Sequence, residues 1–254
     1  MTKIILHGCN GHMGQTVVNI VNEKEGCEIV AGIDTRGEAR NGFPVFSDIN
    51  ECNVEADVIV DFSSAAAIDG LLDYCEARKI PVVLCTTGLS ENQLERVKKV
   101  SESVAVLKSA NMSLGINMLF KLLKSAVNTL EPAGFDMEIV EKHHNKKVDA
   151  PSGTAMALGE VLRESAGDDY YFVYDRSNER KPRDRKEIGL SAVRGGNIVG
   201  EHEVIFAGED EVITFKHTAY SKAVFAKGAV EAAAFLAGKA AGLYDMQDVI
   251  ADRI

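Results

Sequence analysis

The sequence predicts an α/β fold in two parts: a doubly wound parallel sheet and an inserted α+β region with a mainly antiparallel sheet. Three observations predict it. First, the apolar run Lys3-Ile4-Ile5-Leu6-His7 feeds a G-x-x-G-x-x-G turn at Gly8, Gly11 and Gly14, and Gln15–Asn22 then has helical periodicity. Second, apolar strand-like runs alternate with helix-like segments through the first hundred residues. Third, after about residue 113 the pattern shifts to a long helix and then to alternating strands separated by short turns.

Taken in order, the first strand, glycine turn and helix form the context of a dinucleotide-binding Rossmann-type unit. Glycines let the backbone approach a pyrophosphate, and the helix start offers free N–H groups to its charge. Gly8, Asn10, Gly11, His12 and Met13 are the candidate residues of this turn. A second strand, Glu28–Asp34, ends in an acid 20 residues after Gly14, the spacing expected of a carboxylate that binds ribose hydroxyls. Arg36 follows, a side chain suited to a 2′-phosphate. Asp34 and Arg36 together predict use of both NADH and NADPH, with a lean to NADH.

Asp57–Phe62, Ile80–Leu84 and Val104–Lys108 read as further strands, Ala65–Ala77 as a helix, and Ser90-Glu91-Asn92-Gln93 as a capped helix start. Ligands of parallel sheets lie beyond the carboxyl ends of strands. The loops holding Cys85, Thr86 and Thr87, and Ser109, Asn111 and Met112, are therefore candidates to meet the nicotinamide end of a cofactor.

In the second part, Leu114–Leu130 reads as a helix and Phe135–Glu141 as a half-buried strand leading into His143. Residues 167–186 read as a charged, exposed loop with partial order around Tyr170–Tyr174, with a lid as the alternative. Ile188–Arg194, Ile198–Ala207 and Glu211–His217 are expected to form an antiparallel meander, whose edges favour oligomerisation. Phe225–Leu236 is a small-residue helix expected to return to the first sheet. The boundaries expected are 1–112 with 222–254 for the dinucleotide-binding domain, and 113–221 for the substrate and oligomerisation domain.

A net charge of −10 argues against a nucleic-acid partner. No apolar run has the length of a membrane span, and the N-terminus lacks the form of a signal peptide, so a cytoplasmic protein is expected. Cys9, Cys27, Cys52, Cys75 and Cys85 are odd in number and widely spaced, which disfavours disulfide scaffolds and zinc knuckles.

The densest chemistry lies in Glu141-Lys142-His143-His144-Asn145-Lys146-Lys147-Val148-Asp149-Ala150-Pro151-Ser152-Gly153-Thr154. Ser152 is a good N-cap, so a helix begins at Gly153 or Thr154 and presents N–H groups to an anion. Histidine titrates near neutrality and can donate a proton there. Lys142, Lys146 and Lys147 are expected to give a positive local field in an acidic chain.

This segment resembles the signature of the 4-hydroxy-tetrahydrodipicolinate (dihydrodipicolinate) reductase family of lysine and diaminopimelate biosynthesis. Gly8-Cys9-Asn10-Gly11-His12-Met13-Gly14, Cys85-Thr86-Thr87-Gly88, Ala110–Asn117, Arg194-Gly195-Gly196, Val199–His202 and Gly242–Met246 resemble its other motifs, so the likeness spans nearly the whole chain. The resemblance implies hydride transfer from NADH or NADPH to a cyclic dicarboxylate. It implies His143 as proton donor with Lys147 as its partner, and His144, Ser152, Gly153 and Thr154 around the substrate carboxylate. No metal and a homotetramer are implied. Four residues depart from the family pattern: Gln15 and Lys222 where arginine is frequent, Cys85 where glycine is, and Met112 where an aromatic is. They bear on cofactor preference more than on reaction type.

Three rival readings fit the sequence less well. An amino-acid dehydrogenase on the same plan would lack the His143–Thr154 signature. A nucleotide sensor without catalysis would have lost His143 or Lys147. A metal-dependent hydrolase built on His143, His144 and Asp149 conflicts with the tendency of adjacent residues in an extended chain to point opposite ways.

Overall fold

The computed structural model describes residues 1–252. Arg253 and Ile254, the last two of the expected 222–254 segment, lie outside the described residues. The chain divides into two compact units. One comprises Met1–Leu114 and the C-terminal segment from Ala223; the other is Gly115–Lys222.

The first unit carries a seven-stranded sheet, every pairing of which is parallel. Its strands are β1 (Thr2–His7), β2 (Cys27–Ile33), β3 (Val45–Phe46), β4 (Val58–Asp61), β5 (Val82–Leu84), β6 (Ala105–Lys108) and β12 (Gly242–Tyr244), in the order β12-β6-β5-β4-β1-β2-β3. Such strands are buried on both faces, which is why they read as short, nearly continuous apolar runs. Helices α1 (His12–Glu23), α6 (Ala223–Leu236) and α7 (Met246–Ala251) pack one face, with Val17, Val18, Ala229 and Val249 in its core. Helices α2 (Ile68–Arg78) and α3 (Glu91–Ser101) cover the other, through Leu71, Leu72, Val97 and Val100. Leu71 and Leu72 are fully buried, worth about 1.5–3 kcal/mol each. Ser90 caps α3 with a complete capping box through Gln93.

Helix α6 approaches closely because small residues line it: a β-carbon on Gly228 would lie 1.6 Å from the Met112 carbonyl oxygen. Strands β3 and β12 were not expected from sequence; at two and three residues they are too short to show a period. The segment expected as one helix at Ala65–Ala77 begins with a 3₁₀ turn at Ala65–Ala67 before α2.

The second unit holds α4 (Leu114–Leu130, all but its first residue), β7 (Asp136–His143), α5 (Gly153–Ala166), β8 (Tyr171–Val173), β9 (Glu187–Arg194), β10 (Gly200–Ala207) and β11 (Val212–Ala219). Its sheet is ordered β11-β10-β7-β9-β8. The expected hairpin joins β10 to β11, but β9 and β10 are not neighbours. β7 lies between them, antiparallel to β10 and parallel to β9, so the simple meander is replaced by a mixed, mostly antiparallel sheet. The core side of this sheet packs Met137, Ile139, Val204 and Phe206 against Leu119, Leu123, Leu158 and Leu162 of the two helices.

Residues 167–186 are mostly exposed, and their order is concentrated around Tyr170–Val173 and at two arginines. Tyr170 is buried and donates to Glu131 Oε1 at 2.5 Å, and β8 joins the sheet edge. The Arg183 guanidinium bonds Asp136, Glu138 and the carbonyls of Met137 and Glu187, and Arg176 pairs with Glu187.

Candidate functional site

In the first unit the strand order reverses between β1 and β4, the position where parallel sheets open a crevice at their carboxyl ends. The Gly8 turn sits there. Gly8 has φ +79°, and a β-carbon on it would meet the Phe62 carbonyl oxygen at 2.5 Å. A β-carbon on Gly14 would meet the Gly8 oxygen at 2.2 Å. Only glycine fits both positions, and the result is a turn whose backbone is bare. Gly11 is the N-cap of α1 and provides no capping side chain; His12 and Met13 are the first two helical residues. The helix start is therefore left to offer its N–H groups to an anion. Gln15, at one of the departures, donates to the Cys9 carbonyl at 2.9 Å and holds the turn from within.

Asp34 follows β2 and accepts from the backbone N–H groups of Asn10 and Arg36, both at 3.2 Å. It is half-buried, while Arg36 is exposed. Asn10 Oδ1 and Thr86 Oγ1 are buried without a hydrogen-bond partner among the described residues. Buried polar atoms left this way call for a ligand or water. Thr87 is exposed, and Ser109 and Asn111 are half-buried. Cys85 is half-buried, and burial, with the nearby Asp61 carboxylate, pushes its thiol far above the ordinary range. The Met112 side chain lies in the hydrophobic core, so that position has only backbone to present.

Sequence reasoning passed over a polar pair on the same crest. Asp61 is fully buried, accepts from Ser63 Oγ at 2.6 Å, and lies 3.0 Å from His7 Nδ1 without the alignment of a hydrogen bond. Its sequence signal was its place as the last residue of a central strand.

In the second unit, β7 alternates half-buried and buried residues, with Glu141 and His143 on the buried side. Glu141 is 1% exposed. Its Oε1 accepts from Arg194 Nη2 at 2.6 Å and from the Ser152 N–H at 2.9 Å. Its Oε2 accepts from Arg194 Nη1 at 2.7 Å and lies 2.6 Å from His143 Nδ1. Burial pushes this carboxyl up, but Arg194, His143 and Ser152 together overcome burial and hold it below the usual carboxylate range. Register explains the meeting: His143 is the Cα partner of Arg194 on β9.

Ser152 is the N-cap of α5, and its Oγ accepts from the Ala155 N–H at 3.1 Å. The same Oγ lies 3.0 Å from His202 Nε2, and the His202 ring meets His143 edge-on at 5.2 Å between centroids. Burial, then the neighbouring His143, pushes His202 down to about 4. Glu141, Arg194 and His202 were not among the expected site residues. The spacing Glu-x-His on an alternating strand was the available signal, since it puts both side chains on one face.

Lys147 Nζ pairs with Asp149 Oδ1 at 2.7 Å. The Asp149 carboxyl is held below its usual range by Lys147 first and by backbone N–H groups that include Gly153. An internal carboxylate thus faces a lysine and the start of α5. His144 is half-buried with Nδ1 unpartnered among the described residues, Gly153 is exposed and Thr154 half-buried. The expected three-lysine field is not formed. Lys142 points to the opposite side of the sheet, where Glu201 and Glu203 pair with it, and only Lys146 and Lys147 remain near the loop. Among the described residues no cluster of three or more His, Cys, Asp or Glu could hold a metal ion. No helix among them is long and apolar enough to cross a membrane.

Two family models match. "Dihydrodipicolinate reductase, N-terminus" covers residues 2–112 and "Dihydrodipicolinate reductase, C-terminus" covers residues 115–250. The chain is 51% identical over 250 residues to the 4-hydroxy-tetrahydrodipicolinate reductase of Clostridium novyi, covering 98% of each chain. It is 50% identical over 250 residues to that of Caldanaerobacter subterraneus subsp. tengcongensis, again covering 98% of each. A dipicolinate-bound dihydrodipicolinate reductase from Paenisporosarcina sp. TG-14 shares the fold, with a TM-score of 0.81 at 23% identity over 98% of this chain and 99% of that one. With the bare glycine turn in one unit and the histidine–carboxylate network in the other, these matches place the chain in the dihydrodipicolinate reductase family.

Proposed function

We propose that this chain reduces 4-hydroxy-tetrahydrodipicolinate to tetrahydrodipicolinate with NADH or NADPH. In balance, substrate, reduced nicotinamide and one proton give product, oxidised nicotinamide and water. Relatives half identical over nearly their whole length carry this activity in their names. The observation that carries the reading of the site is the Asp149 carboxylate, engaged by Lys147 and the start of α5. Donors that gather a carboxylate of the chain are suited to one on a ring dianion.

The bare turn at Gly8, Asn10, Gly11, His12 and Met13 would hold the pyrophosphate, and Asp34 the ribose hydroxyls. Arg36 is available for a 2′-phosphate. Thr86 Oγ1, buried and unpartnered, supports a cofactor contact in the loop of Cys85, Thr86 and Thr87, with Ser109, Asn111 and the Met112 backbone in the neighbouring one. A nicotinamide held there supplies the hydride.

His143 then gives its proton to the ring atom beside the one reduced. Lys147 stabilises the negative charge that develops and pairs with a substrate carboxylate. His144, Ser152, Gly153 and Thr154 line the carboxylate seat. On this reading residues 1–112 and 222–254 bind the dinucleotide. Residues 113–221 bind substrate and build a homotetramer through the edges of their sheet, in the cytoplasm.

The test is direct. Substrate is generated from pyruvate and aspartate semialdehyde by the preceding synthase, and oxidation of NADH and of NADPH is followed in separate reactions. At least one is oxidised in proportion to substrate; oxidation of neither would end the proposal. Pyridine-2,6-dicarboxylate, the ligand of the Paenisporosarcina protein, is the binding probe and is expected to inhibit competitively.

A further inference from the structure

We infer that Glu141 is a positioning residue for both halves of the substrate-side chemistry: it fixes which nitrogen of His143 carries the working proton, and it clamps the start of α5. The inference rests on the proposed function and deepens it.

The geometry is unusually complete. A carboxylate has about four acceptor positions, and Glu141 meets donors at all of them: two guanidinium N–H groups of Arg194, the Ser152 N–H and His143 Nδ1. An ionised carboxylate cannot donate. The 2.6 Å contact with His143 therefore requires the hydrogen on Nδ1, and the exchangeable proton of the imidazolium is the one on Nε2. Nε2 lies beside Gly200, where a β-carbon would stand 3.1 Å from it and crowd that edge.

Arg194 has a second effect. A lone buried carboxylate would hold an imidazolium tightly and resist its giving up a proton. The bidentate guanidinium offsets that charge, so the pair orients the ring without locking it. The bond to Ser152 carries the influence to the N-cap of α5, so one carboxylate sets the acid and the helix start it serves.

The other titratable and charged groups around His143 are His202 on β10 with His217 of β11 beyond it, and Lys147 and Asp149 in the following loop. His202 remains neutral down to about pH 4 and does not compete for the role.

The experiment uses the full chain. Glu141→Gln keeps the volume but presents an amide N–H₂ to groups that already donate. It is expected to lower kcat by about a hundredfold or more. It should also move the alkaline limb of kcat/KM to lower pH, because the imidazolium loses its anionic partner. NADPH affinity, read by fluorescence, should stay unchanged. Glu141→Asp keeps the charge and should restore the position of that limb in part. A reduced kcat with an unmoved limb would assign Glu141 a merely structural role and overturn the inference. Should either variant fail to fold, ¹⁵N-histidine spectra of the unaltered protein decide. The His143 ring, assigned through His143→Gln, is expected as the Nδ1–H form once neutral, and an Nε2–H form would overturn the inference. That spectrum does not depend on turnover. An unaltered protein that oxidises neither nicotinamide would defeat the proposed function alone.

Discussion

On the proposed function, the two units prepare for anions by opposite means. The crest of the first is built from backbone: Gly8 and Gly14 lack side chains where any β-carbon would strike a carbonyl oxygen, and α1 begins without a side-chain cap. The site of the second is built from side chains, with buried Glu141, His143, His202 and Ser152 and half-buried Arg194 joined into one set. A backbone site needs the absence of atoms and is indifferent to most neighbours. A side-chain site needs particular charges, each satisfied by the next. Removing one member of a buried charged pair leaves the other uncompensated, at a cost of about 3–5 kcal/mol.

That contrast is broken most forcefully at His143. His143→Ala should lower kcat by roughly 10²–10⁴ while the Kd for pyridine-2,6-dicarboxylate changes far less, because the proton is needed only in the transition state. A kcat within a few-fold of the unaltered enzyme would show that the side-chain site binds but does not act.

The next test is pH. His202 is 5% exposed, and its folded pKa lies at about 4 against an unfolded value near 6.5. The unfolded chain therefore takes up the proton first. Stability is fully present above about pH 6.5 and is lost as pH falls through 4, a swing of about 3 kcal/mol. Burial depresses His217 in the same direction. Melting temperature should fall between pH 7 and pH 4.5, and His202→Asn should flatten the fall. An unchanged slope in that variant would locate the acid sensitivity elsewhere.

What was legible in the sequence follows the same division. The glycine turn and Asp34 could be read because their elements are local: strand, turn, helix, strand and acid all lie within residues 2–34. The capped start of α5 was equally local, in Ser152 and the helical run after it. Glu141 lies within the motif but is not legible as a site residue, because a carboxylate on an alternating strand looks the same whether it faces water or an arginine. Only the pairing of β7 with β9 brings Arg194 to it, across 53 positions of chain. The same long-range insertion of β7 defeated the expected meander. Lys142 was misplaced for a simpler reason: it lies between Glu141 and His143, so period two already sends it to the other face.

The backbone site is tested at Gly14. Gly14→Ala should weaken NADPH binding at least tenfold, about 1.4 kcal/mol, since the turn must shift to admit the methyl group. Binding of pyridine-2,6-dicarboxylate should survive. Loss of both would mean that the two kinds of site are not independent. Smaller still is the expected effect of Asp149→Asn. Removing the internal carboxylate frees Lys147 and the start of α5, so affinity for the dicarboxylate should rise a few-fold, the scale of an exposed ion pair. Weaker binding would instead mean that Asp149 holds Lys147 in place for the substrate.

The smallest effect is predicted on the open sheet face. Lys142 and Lys216 alternate there with Glu201 and Glu203 at 2.9–3.3 Å, so each charge has two opposite neighbours. The pairing draws each group toward its charged form, but all of them meet solvent, where water and salt compete for the same charges. Lys142→Met should leave kcat unchanged and lower the melting temperature slightly, and roughly 0.5 M salt should erase the difference by screening. A large fall in kcat would place Lys142 with the catalytic face after all, against the alternation of β7. A salt-resistant fall in stability, with loss of oligomer on light scattering, would instead identify this ladder as a face buried between copies of the chain, where a charge removed from water is no longer screened.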